Sequence, residues 1–235
     1  QDGCESFCTY CIVPFTRGPS RSLPVVEVVE QAKIFAEEGH REIVLTGIHL
    51  GNYGKDLADK VSLVMLLDQL TLATPDVAYR ISSLEPLEID SPLLKLMQER
   101  KNIQPHLHIP LQSGHDEILA RMNRRYTTEQ FRQVVALCKQ YLPDAAIGID
   151  ILVGFPGETE THFAESLAFL EGLDCSYLHV FPYSIRPGTK AAGFPDQVAK
   201  KAKDARVARL RLLSDDKRSA FYQSQLGRTL PVLVE

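Results

Sequence analysis

Apolar positions along the chain follow two alternating rhythms. Behind Pro24, the residues Val26, Val29, Ala32, Phe35 and Ala36 recur at helical spacing, and Gly39 is placed to stop the helix. Short runs at 42–46, 77–82, 106–110, 146–153 and 177–182 predict strands. Between them, helices are expected near 62–73, 91–101, 127–141 and 160–170, and a long basic helix follows the last strand and ends at Gly227. Ser91 followed by Pro92, Thr127 with Gln130, and Thr159 read as start signals for three of these helices. The run 146–153 is almost wholly apolar, as a parallel strand covered on both faces must be. Strands separated by single helices, with right-handed crossovers, predict one parallel sheet covered by helices.

With 235 residues and 44% hydrophobic content, the chain can bury one large core, or one core plus a small appendage. No apolar run reaches the length of a membrane span and the start lacks the layout of a secretory signal, so no membrane is expected and the cytoplasm is the default. The formal charge of −4 gives no global sign of affinity for nucleic acid, so a polyanion would have to be met by a local patch. One local exception is 196–226, with eight basic residues against four acids. Both a solvated helix face and an RNA-facing one fit that surplus.

Five cysteines are too few and too unevenly spread for a disulfide framework. Cys138, among the apolar positions of a helix, and Cys175, just ahead of a strand, read as ordinary buried thiols. Cys4, Cys8 and Cys11 instead form a C-x3-C-x2-C triplet. Thiolates suit zinc or iron–sulfur clusters, and a cubane cluster with three protein ligands keeps one iron open to substrate or cofactor. A structural zinc would need a fourth ligand, and no Cys or His follows until His40 and His49.

The loops after the strands carry the remaining candidate chemistry. Thr46-Gly47 allows close backbone approach to a ligand, or is a plain turn. Gln112-Ser113-Gly114 is a compact polar group suited to ribose hydroxyls, and Gly154-Phe155-Pro156-Gly157-Glu158-Thr159 is a glycine-containing turn into a helix. Asp150 interrupts an apolar strand and must meet either ligand hydroxyls or a structural partner. His106, His108 and His179 lie on strands, as satisfied rim residues or as a further metal site. Arg121, Arg124 and Arg125 gather after the strand at 106–110, where a cation could pair with a carboxylate or phosphate.

The triplet, with Tyr10 just before its third cysteine, resembles the radical S-adenosylmethionine (SAM) superfamily. That resemblance implies an α/β fold, an incomplete (β/α)6 barrel in which the cysteine loop follows the first strand. Only three residues precede Cys4, so the first strand is expected to be truncated here. It implies a 4Fe-4S cluster on Cys4, Cys8 and Cys11, with SAM on the open iron. Cofactor contacts are expected from Tyr10, Thr46, Gly47, Gln112, Ser113, Arg124, Asp150 and Gly154.

Further stretches, Arg17-Gly18, Pro110 to Gly114, Arg121-Met122-Asn123-Arg124, Gly154 to Thr159 and Tyr183 to Thr189, resemble the methylthiotransferases over the whole chain. Leu45 to His49, Arg80 to Pro86 and His179 to Ser184 are most similar to the MtaB-type branch, which modifies threonylcarbamoyladenosine beside the anticodon of tRNA. The branches acting on isopentenyladenosine and on a ribosomal protein are the alternatives; the latter usually has a histidine where Ser113 stands. The resemblance implies hydrogen abstraction from adenine C2 by a 5′-deoxyadenosyl radical and delivery of a methylated sulfur. It also implies a low-potential electron donor such as flavodoxin, and a second 4Fe-4S cluster on a separate N-terminal domain that these residues do not include. Residues 1–226 are then the SAM core, and 227–235 begin a TRAM-like β domain. A function of another class, a zinc-stabilised RNA-binding module, is separated from these by iron content.

Overall fold

The computed structural model of the chain describes residues 1–230, 232 and 233. The cysteine loop leads into α1 (Val13–Arg17) and then α2 (Val25–Glu37), whose N-cap is Pro24 rather than a residue of its first turn. Next come β1 (Glu42–Leu45), α3 (Leu63–Ala73) and β2 (Ala78–Ile81). They are followed by α4 (Ser91–Glu99), β3 (His106–Gln112), the short α5 (Asp116–Arg121) and α6 (Thr128–Tyr141). The set closes with β4 (Ala146–Val153), α7 (Glu160–Glu171), β5 (Tyr177–Pro182) and α8 (Lys200–Gln225).

Helix starts are set by side chains that accept from otherwise unpaired backbone N–H groups. Thr127 and Gln130 form the reciprocal capping box at α6, and Thr159 caps α7 with His162 returning the bond. At α4 the cap is Asp90, whose Oδ1 accepts from Leu93 N–H at 3.0 Å. Ser91 is therefore the first helical residue and not the cap, because a carboxylate one position earlier already serves the orphan donor.

All five strands are parallel, but they do not make one continuous ladder. β1 pairs with β2, while β3, β4 and β5 form a second ladder with β4 in the middle. Between β2 and β3 stands an isolated bridge at Tyr79 and Ile103. Backbone bonds from Tyr79 N–H to Asn102, from Gln104 N–H to Tyr79 and from Leu84 N–H to His108 supplement it. The expectation of one continuous sheet is thus corrected: regular pairing stops between β2 and β3, where only the bridge and these few bonds remain among the described residues. One hydrophobic core nevertheless runs under both ladders, from Leu67, Leu70 and Tyr79 to Ile109, Ile147 and Phe163.

Near its carboxyl end β3 carries a register shift between Pro110 and Gln112, and Gln112 adopts φ 70°. A bulge of this kind re-aims the chain at the barrel rim. The expected strand at 229–235 runs into residues 231, 234 and 235, which lie outside the described ones; 228–230 carry no regular structure. Among the described residues no helix is long and apolar enough to cross a membrane.

Candidate active site

Three separate parts of the chain hold the cysteine loop. Its start is fixed by a bridge between Asp2 and Arg21 and by Cys4 N–H donating to the Gly18 carbonyl at 3.1 Å. Gly3 has φ 76°, and a Cβ there would overlap the Pro19 carbonyl, so the turn into Cys4 requires glycine. The middle is clamped by the segment after α5. Thr9 donates from its N–H and hydroxyl to the carbonyls of Met122 and Arg121, at 3.0 and 2.8 Å. Asn123, left-handed at φ 61°, donates Nδ2 to the Ser6 and Phe7 carbonyls at 3.3 and 3.0 Å. On the far side Ala191 N–H donates to the Thr9 carbonyl. Tyr10 packs against a small apolar cluster with Ile118, Met122 and Phe155 at its centre.

Two charged groups touch the cysteine sulfurs. Arg124 donates Nη1 to Cys8 Sγ at 3.4 Å, Nη2 to Glu85 and to the Pro110 carbonyl, and Nε to the Tyr126 hydroxyl. Burial pushes the Glu85 carboxyl up against the pull of Arg124. His49 Nδ1 lies 3.5 Å from Cys4 Sγ, and its Nε2 lies 2.6 Å from Glu88. Burial opposes a charge on His49, but the bonds to Cys4 and Glu88 hold its pKa up at about 10. Burial likewise opposes the Cys4 thiolate, and hydrogen bonds with His49 and Ser6 bring its pKa below the ordinary thiol value. Cys11 is pushed up by burial.

The donor set fits a cluster better than a single ion. Three thiolates on one zinc, at about 2.3 Å each, would stand roughly 3.8 Å apart. Cys4, Cys8 and Cys11 do not gather within 4.8 Å of one another; among the described residues the one such group is His115, Glu117 and His162. That group is better described as paired side chains. Both Nδ1 atoms accept backbone N–H bonds, from Glu117 and Thr159, which puts the ring protons on Nε2, facing Glu165 and Glu117. A metal at Nε2 would have to displace both protons and both caps.

Beside Cys8 opens a cleft of about 350 Å³ lined by Glu5, Ser6, His49, Asn52, Glu85, Leu87, Glu88, Asn123, Arg124, Arg125 and Tyr126. Of the residues expected at the site, Cys8 and Arg124 line it. Thr46 is exposed at the end of β1, and Gly47 abuts the Gln1 side chain, which accepts from His49 N–H at 2.8 Å. Ser113 is buried and accepts from His115 N–H, and a Cβ on Gly114 would come within 2.9 Å of Ser166 on α7. Asp150 has a structural partner: His108 Nε2 at 2.7 Å, with Ser83 on the other ring nitrogen at 2.9 Å. Gly154 is buried, donates its N–H to Glu158 and is covered by the Lys203 side chain.

The three arginines divide. Arg121 packs over Phe194 and against Gly157, Arg124 is buried and fully engaged, and Arg125 is exposed in the cleft with no hydrogen bond or ion pair among the described residues. On α8 most of the basic surplus is used internally. Arg206 pairs with Glu158 and Glu160, Arg209 with Glu160, Lys200 with Asp204, Arg218 with Asp215, and Lys217 caps the carbonyl end of α7. The bland reading of that stretch is the one its contacts favour.

His49 and Glu85 lie inside the longer motifs above with no role of their own legible there, and nothing in the sequence marks Asn52 or Glu88. Their positions 40 to 80 residues after the triplet hide a proximity that only the folded loops create. A histidine in a glycine-spaced loop at the end of a strand was the available signal.

The family model described as the radical SAM superfamily matches residues 1–170. A threonylcarbamoyladenosine tRNA methylthiotransferase, MtaB, of Aquifex aeolicus (strain VF5) is 41% identical over 234 residues, covering 100% of this chain and 57% of the relative. The MtaB of Bacillus subtilis (strain 168) is 42% identical over 236 residues, covering 100% and 52%. A tRNA-2-methylthio-N(6)-dimethylallyladenosine synthase of Fusobacterium nucleatum is 37% identical, covering 99% and 54%. The chain thus spans about half the length of the curated relatives it matches. Among solved structures, the Escherichia coli coproporphyrinogen III oxidase HemN, a radical SAM enzyme, superposes with a TM-score of 0.66 at 15% identity, over 92% of this chain and 51% of that one. The radical SAM methyltransferase TsrM of Kitasatospora setae gives 0.64 at 18% identity, over 81% and 37%. At such identities these two speak for the fold alone.

Proposed function

The chain belongs to the radical SAM superfamily, and on that premise we propose that it is the SAM-cleaving core of a tRNA methylthiotransferase acting on N6-threonylcarbamoyladenosine beside the anticodon. Membership implies a 4Fe-4S cluster and SAM. In this reading Cys4, Cys8 and Cys11 would hold the cluster and leave it open to bind SAM. Reduced and loaded with SAM, such a cluster supplies hydrogen-atom abstraction from an unactivated carbon.

The residues of the chain prepare that chemistry. Hydrogen bonds with His49 and Ser6 favour the Cys4 thiolate, Arg124 donates to the Cys8 sulfur, and the clamp from Thr9 and Asn123 fixes the loop that carries them. Arg124, itself buried, and the partly exposed Glu85 form an ion pair across the cleft wall that ties the two sides of the wall together. Tyr10 is held by packing, so it braces the loop between Cys8 and Cys11.

The observation that carries the choice of substrate is the cleft lining. Besides Leu87, Cys8 and the ring of Tyr126 it carries the charged groups of Glu5, Glu85, Glu88, Arg124 and Arg125, the imidazole of His49, the amides of Asn52 and Asn123 and the hydroxyl of Ser6, partners that a threonylcarbamoyl group can use and a dimethylallyl one cannot. The electron donor is a low-potential protein of the flavodoxin kind, and the compartment is the cytoplasm, where tRNA is. Outside the triplet the chain has just Cys138 and Cys175, both buried, so the sulfur it would transfer comes from a group these residues do not hold.

Anaerobic reconstitution followed by iron analysis tests the first half: about four irons per chain are expected, and a colourless protein with one zinc would overturn it. Mass spectrometry of tRNA from a strain lacking the gene tests the second. Loss of the methylthio group from threonylcarbamoyladenosine is expected; loss from the dimethylallyl nucleoside instead would reassign the substrate.

A further inference from the structure

A threonylcarbamoyl group carries a carboxylate at neutral pH, so a site that selects it needs a cation free to receive it. Burying a carboxylate without one costs several kcal/mol. In the cleft three groups carry or can carry positive charge: His49, Arg124 and Arg125. Two are committed. Arg124 is tied to Glu85, Cys8, Tyr126 and the Pro110 carbonyl with 5% of its side chain exposed, and His49 bridges Cys4 and Glu88. Arg125 is in the same lining, is exposed, and makes no hydrogen bond or ion pair among the described residues.

From this asymmetry we propose that Arg125 is the specificity-determining residue that receives the carboxylate of the substrate's threonyl group, a reading that rests on the function proposed above. Its backbone position is set by its neighbours. Asn123 is fixed to the cysteine loop and Tyr126 is buried under the Pro110 and Leu111 carbonyls, so the side chain between them is delivered to the cleft mouth without loop rearrangement. A second feature of the cleft agrees. Glu88 Oε2 is buried without a hydrogen-bond partner among the described residues, and the threonyl hydroxyl and ureido N–H groups are donors that could satisfy it. A dimethylallyl group would leave both groups unanswered.

The test uses the protein with its native flanking sequence and anticodon stem-loop RNAs bearing one of four residues at the target position. These are threonylcarbamoyladenosine, its threonyl carboxamide analogue, dimethylallyladenosine and plain adenosine. Wild type is expected to bind the carboxylate form about tenfold tighter than the carboxamide. Arg125→Gln should erase that difference while holding the affinity for plain adenosine, and Arg125→Lys should keep part of it. Equal weakening of all four RNAs by Arg125→Gln would make Arg125 a phosphate contact and overturn the proposal. So would a carboxylate preference that survives the substitution. A wild-type preference for dimethylallyladenosine would instead overturn the functional reading itself, which keeps the two failures apart.

Discussion

The Arg124 guanidinium stands 3.4 Å from the Cys8 sulfur while its other edge grips Glu85. Arg124 and Cys8 are 116 positions apart in the chain, yet the segment between α5 and α6 holds a cation against the Cys8 sulfur. A positive donor on a ligand sulfur stabilises the more negative, reduced cluster. Arg124→Gln is therefore expected to move the cluster's midpoint potential to more negative values, read by an electron paramagnetic resonance titration. It also strands Glu85, for a loss of about 3 kcal/mol in unfolding free energy. An unchanged potential would limit Arg124 to a structural role.

Replacing Cys4, Cys8 or Cys11 by Ala should each remove or labilise the cluster, with iron per chain falling towards zero after reconstitution. Cys138→Ala and Cys175→Ala should leave iron content intact and cost about 1 kcal/mol each, since both thiols are buried away from the triplet. Iron dependence on either of those two would reveal a fourth protein ligand.

Gly3→Ala should disturb the metal loop without touching a ligand. Its φ of 76° and the overlap with the Pro19 carbonyl together predict a local penalty of about 2 kcal/mol or more. Iron retention under mild chelation should fall several-fold. Gly193→Ala, with open space at its Cβ, is the control and should change nothing.

Arg206→Met leaves Glu158 buried without its partner, and a drop of about 3–5 kcal/mol in chemical denaturation is expected. Adding Glu158→Gln should return much of it, because the uncompensated charge is then gone. Additive losses in the double variant would mean the pair matters through shape alone.

Acid should destabilise the fold through His106. Burial, aided by Arg80, His108 and His179, depresses its pKa to about 4, while in the unfolded chain the ring titrates near 6.5. Above pH 6.5 the ring is neutral in both states and its full contribution is present. As pH falls from 6.5 towards 4 the unfolded state takes up a proton that the native state refuses, and stability declines. Allowing for partial exposure, roughly 1–2 kcal/mol is lost across that window. His106→Phe should flatten this limb of the stability profile.

The strand and helix rhythm was legible because buried parallel strands read as apolar runs and helix starts carry cap residues. Thr127 and Thr159 kept those roles, and Ser91 yielded its role to Asp90 one position earlier. The triplet was legible because its spacing is local. What was not legible is everything that converges from distant loops: His49 on Cys4, Glu85 on Arg124, His108 on Asp150. Residue type announces that Asp150 needs a partner, and topology alone says which. The basic run on α8 left a solvated and an RNA-facing reading open, since charge counts carry no sign of where each side chain is used, and its contacts favour the solvated one.

The break between the two ladders gives the molecule a seam. His49, Glu85 and Glu88 belong to the β1–β2 side, Arg124 and Arg125 follow β3 on the other, and the cleft straddles the line between them. Few backbone bonds cross it, so side-chain bonds such as the Arg124–Glu85 pair join the two sides at the cleft. A ligand filling the cleft would therefore be touched from both sides of the seam at once.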